Sequence, residues 1–312
     1  MNKSIKILLI LFIVLFILVL IANKSLYKTN GKKLFKDNFS KIQFLSLKNK
    51  NAKLILKKIN NQWRLTNNTP VSPNQLDRAI DTIEKFTTKD LVSRNKKKQT
   101  SFQVANGIGT KVLFSEKLND TNSGFILGRM DSSYTKTYVR KINDNNIYRE
   151  PGRLSYLFSV NPQYWIRKKV FYLGQNKKIN YFKIQNISIT SNPFTIEAQF
   201  KKRWILKTPK NPGKGRKIDN LSRKIQYLGI KNFITTTNKD ATNMIASISV
   251  SHKKISQTLW ISSFITNSGY VCKLDSLPDQ FVVETNRIQE LFKKPDDLVV
   301  KQTNIKKGSL KK

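Results

Sequence analysis

The chain has 312 residues, enough for two domains of ordinary size, and its 39% hydrophobic content permits real cores rather than wholesale disorder. Lys+Arg 58 against Asp+Glu 19 gives a net charge of +39, while a single cysteine and a single histidine exclude an intramolecular disulfide and any cysteine-based metal cluster.

A charge of this size attracts nucleic acid, anionic lipid and acidic polymers. Lysine greatly outnumbers arginine, however, and it is spread along the chain rather than gathered in one stripe. Nucleic-acid recognition favours arginine for its bidentate contacts, so the pattern argues against that partner. Lysine, asparagine and isoleucine all have AT-rich codons, and genome composition accounts for their abundance equally well.

In chain order, residues 1–6 read as a short cytoplasmic N-terminus. Ile7 to Ala22 is an unbroken apolar run of 16 residues flanked by Lys3, Lys6 and Lys24. It predicts a transmembrane helix over 7–23, at the short end of the spanning range. A cleaved signal peptide is the rival reading, but no small-x-small site follows, and no cysteine is placed for lipoprotein processing. A single-pass signal anchor is expected, with the N-terminus inside and the bulk of the chain outside. Residues 24–50 read as a linker and first strand region.

Two stretches then match. "LILKKINNQWRL" (54–65) and "FTIEAQFKKRWIL" (194–206) each read as a β-hairpin ending on Trp-x-Leu, pairing Trp63 with Trp204 and Leu65 with Leu206. Ile55 and Ile196 each precede the tryptophan by eight residues. A proline-bearing loop follows, then a helical stripe: Leu76, Ile80, Ile83 and Phe86 in one copy, Ile218, Leu221, Ile225 and Leu228 in the other. Short extended pieces reach Leu91 and Phe233. Hairpins and a short helix close each copy, and "YVRK" (138–141) matches "YVCK" (270–273), pairing Tyr138 with Tyr270. The expected architecture is α+β: an N-terminal transmembrane helix, then two tandem copies of a β-hairpin/helix/β-hairpin/helix unit with antiparallel sheets, at 51–173 and 178–300, and a basic tail at 301–312.

"PQYWIRKKVFYL" (162–173) mixes aromatic and basic residues, so Trp165, Arg167, Lys168 and Lys169 form a possible interaction surface; the competing reading is a strand joining the two units, with its aromatic face on the core. "ANGIGTKV" (105–112) lacks the spacing of a phosphate-binding loop and reads as a turn. His252 reads as a solvated residue at a strand end, and Asp296 and Asp297 as a turn. No catalytic, cofactor-binding or metal-ligating residue is indicated, and no cofactor is expected.

The set Trp63-x-Leu65, "GIG", "ILGR", "YVRK…IYRE" and "YLFSVNPQYWIRKKVF" resembles the DUF4340 family of bacterial proteins. The resemblance implies a protein of the bacterial inner membrane whose genes lie beside those of gliding-motility-type ABC transporters. The expected function is a non-enzymatic, membrane-anchored interaction or scaffolding protein, accessory to a membrane complex such as an ABC-type transporter, with membrane-protein partners and some contact with anionic lipid. The alternative is a membrane-anchored binder of an anionic polymer, either nucleic acid or acidic cell-envelope material.

Overall fold

A computed structural model describes residues 12–16, 31–117, 123–209, 215–234, 243–292 and 295–298. The chain forms two compact units. Of the described residues, one holds those up to Asn67 and those within Arg78–Tyr164; the other holds Asn68–Asp77 and those from Trp165 onward.

The first unit carries strands β1 (Phe44–Lys48), β2 (Lys53–Ile59), β3 (Gln62–Leu65), β4 (Leu91–Ser93), β5 (Thr110–Ser115), β6 (Gly124–Met130), β7 (Lys136–Lys141) and β8 (Ile147–Pro151). They form one antiparallel sheet in the order β3-β2-β1-β5-β6-β7-β8-β4. The second unit carries β9 (Tyr181–Asn186), β10 (Phe194–Phe200), β11 (Trp204–Thr208), β12 (Asn232–Phe233), β13 (Met244–His252), β14 (Ile255–Thr266), β15 (Gly269–Leu274) and β16 (Leu277–Val283). Their order is β11-β10-β9-β13-β14-β15-β16-β12, again antiparallel throughout. Numbered within its own unit, each sheet runs 3-2-1-5-6-7-8-4. With few helices beside two eight-stranded sheets, the class is α+β.

Local chemistry explains the elements. Asn60 and Asn61 both have positive φ, at 47° and 62°, which gives the β2–β3 hairpin a two-residue turn matched to the strand twist. The helix Pro73–Glu84 starts where Pro73 needs no N–H donor and the Ser72 carbonyl accepts from Leu76. Leu76, Ala79 and Ile83, continued by Phe86 just past its end, are its buried stripe; Ile218, Leu221 and Ile225, continued by Leu228, are that of the helix Gly215–Gln226. Both stripes advance by three, four and three residues.

The ladder registers refine the repeat expected from sequence. Ala79, not Ile80, matches Leu221, and Ile80 is only half-buried. Leu54, not Ile55, matches Ile196: Leu47 faces Leu54 as Ile184 faces Ile196, while Ile55 lies on the opposite face. Leu91 and Asn232 face Tyr148 and Val282, so Phe233 stands one place late. Each copy also begins earlier than 51 and 178. In "KKLF" (32–35) the Leu34 N–H donates to the Phe86 carbonyl at 2.8 Å; in "KKVF" (168–171) the Val170 N–H donates to the Leu228 carbonyl at 3.0 Å. Lys33 bridges Thr87 as Lys169 bridges Gly229. "KKVF" is therefore the lead-in of the second copy rather than the end of the first.

The first unit's core is phenylalanine-rich, with Phe35, Phe86, Phe114, Phe125 and Phe158 in ring contact at 5.1–6.5 Å. The second unit's core joins Phe182, Ile184, Ile196, Trp204 and Leu206 to the buried stripe of its helix. Of the expected membrane segment, residues 12–16 are helical with exposed side chains. The rest of 7–23 lies outside the described residues, as does the tail 301–312. Among the described residues no helix is long and apolar enough to cross a membrane.

Candidate functional site

The residues marked by the sequence divide sharply by burial. Leu65, Trp204, Leu206, Tyr138 and Tyr270 are all buried, between 3% and 8% exposed. Trp63 is half-buried. Trp204 lies 5.2 Å from the Phe182 ring and 5.5 Å from that of Phe200. Trp165 and Arg167 offer no surface. Trp165 is 0% exposed and Arg167 7%, and the Arg167 guanidinium donates to the carbonyls of Lys169 (3.1 Å) and Val170 (2.5 Å). Burial pulls the Arg167 guanidinium down to about 10, against the favourable field of Asp279. The possible interaction surface thus shrinks to the exposed Lys168 and Lys169. Interleaved aromatic and basic residues cannot reveal this, because an arginine that caps carbonyls looks the same in sequence as one in water.

"GIG", "ILGR" and "YVRK" converge in the first unit. The loop 101–109 crosses β6 and β7 so closely that a Cβ on Gly128 would collide with the Phe102 carbonyl, and one on Gly109 with that of Leu127. Arg129 Nε donates to the Ser101 carbonyl at 3.0 Å, and its guanidinium lies 5.9 Å and 5.3 Å from the ring centres of Phe102 and Tyr138. Arg140 is 4% exposed and donates to the carbonyls of Val104 (2.8 Å) and Asp144 (2.9 Å) and to Asn106 Oδ1 (3.0 Å). Val104, Ile126, Tyr138 and Ile147 close the patch as a small apolar cluster.

A charged cluster lies along β4, β7 and β8. Asp90 takes Lys136 Nζ at 2.7 Å and Arg149 Nη2 at 3.0 Å. Burial alone would raise the Asp90 carboxyl, but these donors outweigh it and hold it below the usual carboxylate range. Glu150 is 3% exposed and accepts from the Thr87 N–H at 2.8 Å; burial pushes its carboxyl up to about 7.

Arg129, Arg140, Arg167 and Glu150 use their polar groups to hold backbone, while Asp90, Lys136 and Arg149 pair with one another. His252 Nδ1 sits 2.6 Å from the Lys178 carbonyl, and Cys272 is buried with its thiol pushed upward by burial. Among the described residues no three His, Cys, Asp or Glu side chains gather as a metal site.

The family model described as "Domain of unknown function (DUF4340)" matches residues 63–245, more than half of the chain. The chain belongs to the DUF4340 family. The DUF4340 match opens at Trp63 on β3 and closes at Ile245 on β13, so it takes in parts of both copies. No match is found among curated proteins or among solved structures.

Proposed function

We propose that this DUF4340 protein is a non-enzymatic, single-pass membrane-anchored scaffolding protein of the bacterial inner membrane, accessory to a membrane complex such as an ABC-type transporter. The observation that carries this reading is the double occurrence of one eight-stranded topology in a single chain. Two units of one topology in one chain support an interaction role, since linked binding modules hold partners more firmly than either does alone. The motif residues support the same reading, since Arg129 and Arg140 spend their donors on a loop rather than on a cleft. The apolar run Ile7–Ala22 supports the anchor. The transporter as partner rests only on what the family resemblance implies about neighbouring genes.

Isolation of the full chain from membranes in gentle detergent, after crosslinking in cells, tests the proposal. Retention in the membrane after alkaline wash and co-purification of membrane proteins are expected. Release by the wash, or recovery of free monomer alone, overturns it.

The net charge of +39 favours a second reading, a membrane-anchored binder of an anionic polymer. That reading requires binding that falls steeply with salt.

A further inference from the structure

The second unit contains a concave cleft of about 380 Å³, lined by Lys169, Tyr172, Lys177, Lys178, Gln226 and Tyr227 among others. Its volume lies within the range of small-molecule sites, roughly 300–1,000 Å³. Lys169, Lys177 and Lys178 are exposed, and none of them forms an ion pair among the described residues. Lys169 Nζ stands 4.5 Å from the Tyr227 ring centre. No carboxylate lines the cleft; Asp77, just outside it, accepts a hydrogen bond from the Tyr172 hydroxyl.

The cleft is built by a connector that differs between the copies. In the first copy, Phe35 reaches Gln43 through seven residues. Asn38 caps the single turn Phe39–Lys41, and Asp37 accepts from Ser123 Oγ. In the second copy, Phe171 reaches Asn180 through eight. Gly174 and Asn176 take φ of +104° and +57°, which turns "GQNKK" outward into the wall of the cleft. The ends match, because Gln43 N–H donates to the Ser115 carbonyl and Asn180 N–H to that of Ser251. The helix end differs as well: Glu84–Lys85 in the first copy is Gln226–Tyr227 in the second. The second copy thus has no acid at two places where the first has one.

We infer that this cleft binds a small oligo-anion carrying two phosphoryl groups. The ammonium groups supply three positive point charges, and lysine binds phosphate in that manner. Gln226 and Asn176 add amide donors at the rim. The two phosphoryl groups come from a free diphosphate or from a lipid headgroup. The inference rests on the cleft alone and does not depend on the scaffolding reading.

Full-length protein in detergent is titrated with inorganic pyrophosphate by calorimetry, and its binding to phosphatidylcholine vesicles with and without cardiolipin is measured. The K169Q/K177Q/K178Q variant is compared with K96Q/K97Q/K98Q, which removes the same charge from the first unit. Saturable binding is expected, weakened at least about tenfold in the cleft variant and less than about twofold in the control. Loss confined to pyrophosphate identifies a soluble ligand; loss confined to cardiolipin identifies a headgroup. Equal weakening in both variants means a diffuse field and overturns the inference, as does the absence of saturable binding to either probe. K177E/K178E, confined to the exposed loop, keeps the test valid if the triple variant loses its native thermal unfolding midpoint.

Discussion

Arg140 and Cys272 occupy the same place in the two sheets. Arg140 on β7 faces Ile147 on β8, and Cys272 on β15 faces Phe281 on β16, within ladders that otherwise align Tyr138 with Tyr270 and Val139 with Val271. One position is therefore filled by a guanidinium that ties down a loop and, in the other copy, by a small apolar thiol.

That difference predicts unequal costs. Arg140→Leu leaves the Val104 and Asp144 carbonyls and Asn106 Oδ1 without their donor. Only the Val104 carbonyl is buried, while Asp144 is half-buried and Asn106 exposed, so one unpaired buried group at roughly 1–3 kcal/mol and two that water can partly serve give an expected loss of about 2–4 kcal/mol in the first unit. Cys272→Ala removes one sulfur from a packed core and is expected to cost about 1–2 kcal/mol in the second. Urea unfolding of the two variants measures both, and equal losses would show that Arg140 contributes only packing.

The two tryptophans separate in the same way. Trp204 is 8% exposed in the core of the second unit, and the helix Gly215–Gln226 packs on its strand. Trp204→Ala should cost about 3–5 kcal/mol. Trp63, partly exposed at the sheet edge, should cost less, about 1–2 kcal/mol on truncation. A Trp63→Ala loss equal to that of Trp204→Ala would mean that its exposed half is buried in the native protein.

The repeat was legible in the sequence where apolar residues alternate around a turn, as they do before Trp63 and Trp204. The register was not, because the hairpins differ. The first turns on Asn60 and Asn61, while the second loops through 201–203 and carries a bulge between Glu197 and Ala198. A shift of one residue moves a side chain to the opposite face, which is why equal spacing to the tryptophan selects Ile55 where the register selects Leu54. "KKLF" and "KKVF" carry no repeat signal in the sequence, because each copy docks them through a single bridge rather than a strand. Arg140 and Arg167 were illegible as buried groups, since a charge in an extended segment reads as solvent-facing until its carbonyl partners are known.

Cys272 is 1% exposed, and burial raises its thiol away from the reactive thiolate form. Maleimide labelling of the native protein should run at least about a hundredfold slower than in denaturant, because it requires local opening. Rapid native labelling would place the thiol at the surface. The buried thiol also makes Cys272 a poor reporter of membrane topology, and a cysteine introduced at exposed Tyr134 serves better.

Glu150 makes stability depend on pH. Burial of its side chain pushes the carboxyl from 4.5 to about 7, and Asp90 adds to the rise, while the Thr87 N–H and Lys136 oppose it. The folded chain therefore holds a proton that the unfolded chain releases. The stabilising contribution is complete below about pH 4.5 and is lost as pH rises through about 7. The interval corresponds to about 3 kcal/mol at most. Glu150→Gln keeps an amide oxygen to accept from Thr87 and removes the titration. The variant should match the native protein near pH 4 and exceed it in urea midpoint at pH 8. Parallel curves for the two proteins between pH 4 and 9 would show that ionised Glu150 carries no burial penalty.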